Sequence, residues 1–217
     1  MDIEQARYNM VEQQIRPWDV LNQDVLDLLF RIRREDFVPE AHRALAFVDM
    51  EIPLGHGQAM WTPKLEARVL QELDIRPTDR VLEIGTGSGY LTALLAAQAA
   101  EVVSVDIVAE FTAAATQKLR AHGIGNVMLH TGDAARDWPD TAGFDVIVLT
   151  GSPPLLSDAL RRRLKIGGRL FAVVGEPPVM QAQLITCTAP GAFRSVTLFE
   201  TCVTELVNAP QPTAFVF

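Results

Sequence analysis

Between Val81 and Ala96 the chain reads VLEIGTGSGYLTALLA, a run of β-formers, then glycines at positions 85, 87 and 89, then a run of helix-formers. Glycine has no Cβ and adopts positive φ readily, so this pattern predicts a tight strand-to-helix turn whose backbone is open to close approach. Around it, apolar β-rich runs at Arg80–Ile84, Val102–Asp106, Val127–His130, Phe144–Leu149 and Arg169–Val174 alternate with helical stretches or loops. Such alternation implies a parallel sheet wrapped by helices. After Gly175 the runs AQLITCT, RSVTLFETCV and TAFVF follow one another without a clear helix and are expected to close the sheet edge in antiparallel fashion.

The part before about residue 60 reads as helices. IEQARYNMVEQQI has apolar residues at helical spacing, Pro17 interrupts it, and NQDVLDLLFRI resumes after Asn22, the expected cap. EIPLGHGQAMWTP has no sustained period and reads as a shaped loop, and Thr62 with Pro63 forms a good helix start for PKLEARVLQEL. The chain thus divides into residues 1–62, a helical extension with a loop, and residues 63–217, the α/β part, expected to form one structural unit. With 217 residues, 48% of them hydrophobic, it can bury a full core. There is no internal repeat, and GEPPVM is a loop rather than a linker.

A net charge of −8 argues against nucleic acid or an anionic membrane as the main partner, since both need clustered Lys and Arg. The run Arg161–Arg163, within SDALRRRLKIGG, reads as the last turns of a helix ending at Gly167, where cations complement the dipole. No stretch approaches the roughly 18 apolar residues of a membrane span, and MDIEQARYNMVEQQ lacks a signal-peptide core, so the cytoplasm is the expected location. Cys187 and Cys202 lie in β-rich runs and are expected to be buried and reduced. Four histidines without HxxxH or CxxC spacing give no metal-site signal.

A glycine loop at the first strand-to-helix turn of a parallel sheet faces the crevice at the carboxyl ends of the strands, where ligands bind. A dinucleotide fingerprint would place its third glycine where Tyr90 stands, and no Gly-Lys-Ser/Thr closes a phosphate loop. The turn therefore calls for a nucleoside-bearing ligand with little or no phosphate. Asp106 ends the second strand about twenty residues on, where a carboxylate accepts both ribose hydroxyls. Gly132-Asp133 after the third strand can border an adenine amino group, and Glu83, just before the turn, suits a cationic amine.

VLEIGTGSGYLTALLA, VVSVDI and Gly132-Asp133 resemble the S-adenosylmethionine-dependent methyltransferases. REDFVPE, AFVDMEIPLGHGQ, LKIGGRLFAVVG and Gln183-Leu184, in that order, make the chain most similar to the protein-L-isoaspartate O-methyltransferase family, from near residue 10 to about 185. The resemblance implies an α/β, Rossmann-like, doubly wound and mostly parallel seven-stranded sheet with helices on both faces, an antiparallel C-terminal edge and an N-terminal helical extension. It implies S-adenosylmethionine as donor, S-adenosylhomocysteine as product, a protein-repair role on isoaspartyl peptides, and a monomer. Backbone at Gly85, Thr86, Gly87, Ser88 and Gly89 would surround the donor's amino-acid portion. Asp106 would take the ribose and Gly132, Asp133 and Ala134 border adenine, with Gln58 and Ile107 completing the donor contacts.

A carboxylate acceptor is ionised at pH 7, so its methylation needs alignment and no general base. The family's acceptor loop carries Thr/Ile-Ser-x-Pro, and counting back from Pro63 puts Trp61 at the serine position. Thr62 either supplies the missing hydroxyl or serves as helix cap. Trp61 either packs against the helical extension or lines the acceptor pocket, stacking on a flat acceptor or facing the sulfonium. A phenol, alcohol or amine acceptor would need a base, for which His56 is the candidate. Two alternatives thus stand beside isoaspartyl methylation: a methyltransferase for another small-molecule or protein acceptor, and a non-catalytic S-adenosylmethionine-binding protein.

Overall fold

The computed structural model describes residues 2–212, and the TAFVF run at 213–217 lies outside the described residues. The main sheet takes its first strands from the runs read above: β3 Arg80–Ile84, β4 Glu101–Asp106, β5 Val127–Thr131 and β6 Phe144–Leu149. Completing it are β7 Leu164–Glu176, β8 Val179–Ala189 and β9 Ala192–Glu200, in the spatial order β5-β4-β3-β6-β7-β8-β9. Pairings from β5 to β7 are parallel, and β7-β8 and β8-β9 are antiparallel, giving the expected edge. Because β3 neighbours both β4 and β6, the chain order reverses there, and a crevice opens above their carboxyl ends.

Alternation along the central strands divides the core between two faces. Val81, Val102 and Val146 pack on one side with Leu94 of α4 (Tyr90–Ala96), whereas Leu82, Val103 and Ile147 pack on the other with Leu160 of α6 (Asp158–Arg162). Strands covered on both faces are apolar at successive positions, which is why these runs read so clearly in the sequence. The first face also receives the N-terminal region: Met10 of α1 (Ile3–Met10) and Leu26 and Leu29 of α2 (Gln23–Arg31) join Leu70 of α3 (Pro63–Leu73) in the same cluster. Asn22 caps α2 by accepting from Asp24 N at 2.9 Å, and beyond α1 the chain widens into a π-turn before Pro17.

Three expectations are corrected. The helix around the arginine run ends at Arg162, and the chain enters β7 at Leu164, so Gly167 sits at φ +82° inside the strand, not at a helix end. Backbone pairing goes with this: Phe144 N donates to Arg163 O at 2.9 Å and Leu164 pairs with Phe144, which joins the chain to β6. Cys187 is buried but Cys202 is exposed, because β9 stops at Glu200 and the chain turns back toward the crevice. The loop before Thr62 is a β-hairpin, β1 (Ile52–Gly55) with β2 (Gln58–Met60). Its two-residue turn has positive φ at both His56 (+53°) and Gly57 (+71°), the geometry whose twist matches an antiparallel pair.

Candidate active site

A cleft of about 630 Å³ opens at the carboxyl ends of β3, β4 and β6. Of the residues selected from the sequence, Gln58, Gly85, Gly87, Asp106, Ile107, Gly132, Asp133 and Ala134 line it. Asp106 holds both oxygens toward backbone donors, accepting from Gly87 N at 2.8 Å and Val108 N at 2.9 Å. Each carboxylate oxygen has a further lone pair, so the group is fixed in place and still able to accept from a pair of hydroxyls. Asp133 accepts from Ala135 N at 3.0 Å through one oxygen and from Asn208 Nδ2 at 2.8 Å through the other.

The remaining walls have no motif in the sequence. Thr150 and Gly151 follow β6, directly across the crevice from the glycine turn, and strand order alone brings them there. Thr204, Leu206 and Val207 come from the segment after β9, which runs back over the end of β6. Ser152 N donates to Thr204 O and Leu206 N to Ser152 O, both at 2.9 Å. A Cβ on Gly151 would lie 2.9 Å from Leu206 Cα, so glycine there lets the returning segment pass.

The glycine turn itself is packed by protein. Gly85 stands at φ +101°, and a Cβ there would fall 2.0 Å from Thr150 Oγ1, which donates to Gly85 O at 2.8 Å. Gly89, at φ +82°, caps α4 and meets Ala115 of α5 (Ala109–Ala121); it lines neither cavity. The glycines thus admit neighbouring side chains as well as opening backbone to the crevice.

Glu83, expected to face a ligand amine, is 0% exposed and lines neither cavity, and its Oε1 is buried without a hydrogen-bond partner among the described residues. Its Oε2 accepts from Thr92 Oγ1 at 2.5 Å and Ser104 Oγ at 2.6 Å, and Ser104 Oγ lies 2.6 Å from Thr86 Oγ1 on the turn. Burial pushes the Glu83 carboxyl up to about 8 against those two bonds. It acts on the turn from beneath, through hydroxyls.

A second cavity, of about 320 Å³, adjoins the first and shares Leu54, Ala59, Gly85, Gly87 and Thr150 with it. Thr86, Ser88 and Trp61 line it, as does Glu66 of α3, which no sequence motif singled out. Trp61 is 5% exposed and meets Phe171 of β7 edge-on, with ring centroids 6.2 Å apart, so it packs on the sheet while walling the cavity. Thr62 is the N-cap of α3, its Oγ1 accepting from Leu65 N at 3.4 Å, and it lines neither cavity. His56, at the hairpin tip, is exposed and packs edge-on against Phe111 at 5.6 Å; it too lies outside both linings.

Arg34 holds this cavity's frame. Its Nη2 donates to Trp61 O at 2.6 Å, its Nε to Ala46 O at 3.0 Å and its Nη1 to Glu66 Oε2, and its guanidinium lies 5.2 Å from the Tyr90 ring centroid. Burial pushes Glu66 up to about 8 against the pull of Arg34.

Residues 5–202 match the model of the protein-L-isoaspartate(D-aspartate) O-methyltransferase family. The chain belongs to that family. Protein-L-isoaspartate O-methyltransferase 1 of Rhodopseudomonas palustris (strain HaA2) is 37% identical over 216 residues, covering 96% of this chain and 88% of the relative. The Myxococcus xanthus (strain DK1622) protein-L-isoaspartate O-methyltransferase is 44% identical over 151 residues, 70% of this chain and 71% of its own. In fold, this family member is similar to a Plasmodium falciparum protein-L-isoaspartate O-methyltransferase solved with S-adenosyl-L-homocysteine, at TM-score 0.79 and 20% identity, covering 91% and 96% of the two chains.

Proposed function

We propose that this chain transfers a methyl group from S-adenosylmethionine to the side-chain carboxylate of isoaspartyl residues in damaged protein. The observation that carries the reading is the pair of joined cavities at the reversal point of the sheet. The larger has a fixed carboxylate, Asp106, at its ribose position and no lysine or arginine in its lining, in keeping with a nucleoside ligand that lacks phosphate. The residues present fit the donor: Gly132, Asp133 and Ala134 would border adenine, Asp106 the ribose, and Gly85 to Ser88 the amino-acid arm in the smaller cavity. When bound, S-adenosylmethionine supplies an electrophilic methyl carbon.

The chain's own part is alignment and exclusion of water. An ionised acceptor is already nucleophilic, so holding it in line accounts for most of the acceleration, an effect of up to roughly 7–11 kcal/mol. His56 and Thr62 then have no proton to move. Trp61, at the family's usual serine position, narrows the smaller cavity and shapes which acceptors enter. The chain is taken to work as a monomer in the cytoplasm, on protein rather than nucleic acid or membrane, in keeping with its net charge of −8. Among the described residues no helix is long and apolar enough to cross a membrane.

Labelled methyl transfer to isoaspartyl and ordinary aspartyl peptides tests the reading. Base-labile label on the isoaspartyl peptide alone is the expected result. Base-stable label on a different acceptor would transfer the assignment to another substrate, and binding of S-adenosylhomocysteine without turnover on any acceptor would leave a binding protein.

A further inference from the structure

The smaller cavity contains one ionisable side chain, Glu66, among its lining residues. The three carboxylates that sequence spacing assigned to the donor lie elsewhere: Asp106 and Asp133 line the larger cavity, and Glu83 is sealed beneath the turn with its bonds to Thr92 and Ser104. Glu66 reaches the cavity from the first turn of α3, with its side chain only 3% exposed. One oxygen, Oε2, is bound to Arg34 Nη1, and among the described residues Oε1 makes no hydrogen bond. On a side chain otherwise buried, a carboxylate oxygen that opens to a cavity without a protein partner is poised for a ligand donor, because a cation there recovers free energy that burial of the group costs. Trp61 lines the same cavity and adds an aromatic surface, which also favours a cation.

The donor reading fixes which cation that is. With the nucleoside in the larger cavity, its amino-acid arm passes the shared wall at Gly85 and Gly87 and ends in the smaller one. We infer that Glu66 Oε1 receives the α-ammonium group of that arm, with Arg34 holding the other oxygen and so setting the direction of the carboxylate. The inference rests on the proposed S-adenosylmethionine reading and assigns to it a residue that Glu83 was expected to supply. It also gives the buried Arg34 a role: its charge opposes the burial that favours the neutral carboxyl, and the arriving ammonium adds to that pull, so that the group is ionised in the complex.

The test compares three ligands by titration calorimetry: S-adenosylhomocysteine, its analogue with hydrogen in place of the α-amino group, and 5′-methylthioadenosine, which lacks the amino-acid arm. The wild-type chain is expected to prefer S-adenosylhomocysteine over the deaminated analogue by roughly 10–100-fold, the range of a hydrogen bond to a charged group. Glu66→Gln is expected to bring that preference to within about threefold while leaving 5′-methylthioadenosine affinity unchanged, as expected for a charge-assisted bond reduced to a neutral one. Glu66→Asp, which keeps the charge beside Arg34 but withdraws it by one methylene, provides a second variant if the glutamine protein does not fold, and is expected to lower the preference in the same direction. Equal binding of S-adenosylhomocysteine and its deaminated analogue by the wild type overturns the inference without any variant. So does full retention of the preference in either folded variant, or loss of the preference in Glu83→Gln with Glu66 intact. Failure of the wild type to bind both S-adenosylhomocysteine and 5′-methylthioadenosine overturns the donor reading, and this inference with it.

Discussion

Burial holds the Glu83 carboxyl at about 8 even though Ser104 and Thr92 both donate to it. A carboxyl raised above its ordinary value of 4.5 contributes stability that is complete below about pH 4.5 and is lost as pH rises toward 8, because the unfolded chain releases the proton first. Wild-type unfolding free energy is therefore expected to fall against Glu83→Gln between pH 5 and 8 by roughly 1.4 kcal/mol for each pH unit. Urea denaturation at several pH values checks this, and parallel curves for the two proteins would refute it. Glu66 titrates in the same window and its charge helps raise Glu83, so the comparison is repeated in a Glu66→Gln background, where the fall is expected to keep its sign. At this scale Asp106 was legible, because the last residue of a parallel strand beside the turn has one place to point. Glu83 and Glu66 were not, since adjacent spacing gives no measure of depth or of which wall a side chain faces.

The hairpin β1–β2 and the segment returning after β9 close the crevice from two sides; the hairpin brings Gln58 to the larger cavity, and the returning segment carries no ligand motif. The hairpin lay hidden in EIPLGHGQAMWTP because its strands are only four and three residues long, too short for a period to develop. Its turn puts His56 at the tip with its ring on Phe111, a wall residue of the larger cavity, but in neither lining itself, so His56→Ala is expected to leave the pH-rate profile for an isoaspartyl peptide unchanged in shape and kcat within about twofold, there being no proton to abstract. A limb titrating near pH 6–7 in the wild type and absent from the variant would instead give His56 the role of a base. The returning segment was invisible for a different reason: it is irregular chain, fixed by its pairing with Ser152 and by Asn208 against Asp133, and long-range pairing of that kind leaves no local pattern.

Across the whole molecule, the N-terminal region and the sheet share one apolar cluster, and Arg34 links them through Ala46, Trp61 and Glu66. Removing one member of a buried pair leaves its partner uncompensated, so Arg34→Ala is expected to lower unfolding stability by about 3–5 kcal/mol. Urea denaturation measures the loss, and a change below about 1 kcal/mol would mean that the pair contributes little to the frame. The sequence by itself determined the sheet class, the antiparallel edge, the glycine turn, the caps at Asn22 and Thr62 and the family, because each depends on short-range periodicity, φ preference or local motif. Only the tertiary structure decided which carboxylates reach the cavities, what packs into the glycines, where Trp61 rests and how the returning segment closes the site. Those depend on depth and on contacts between residues distant along the chain, which local patterns do not encode.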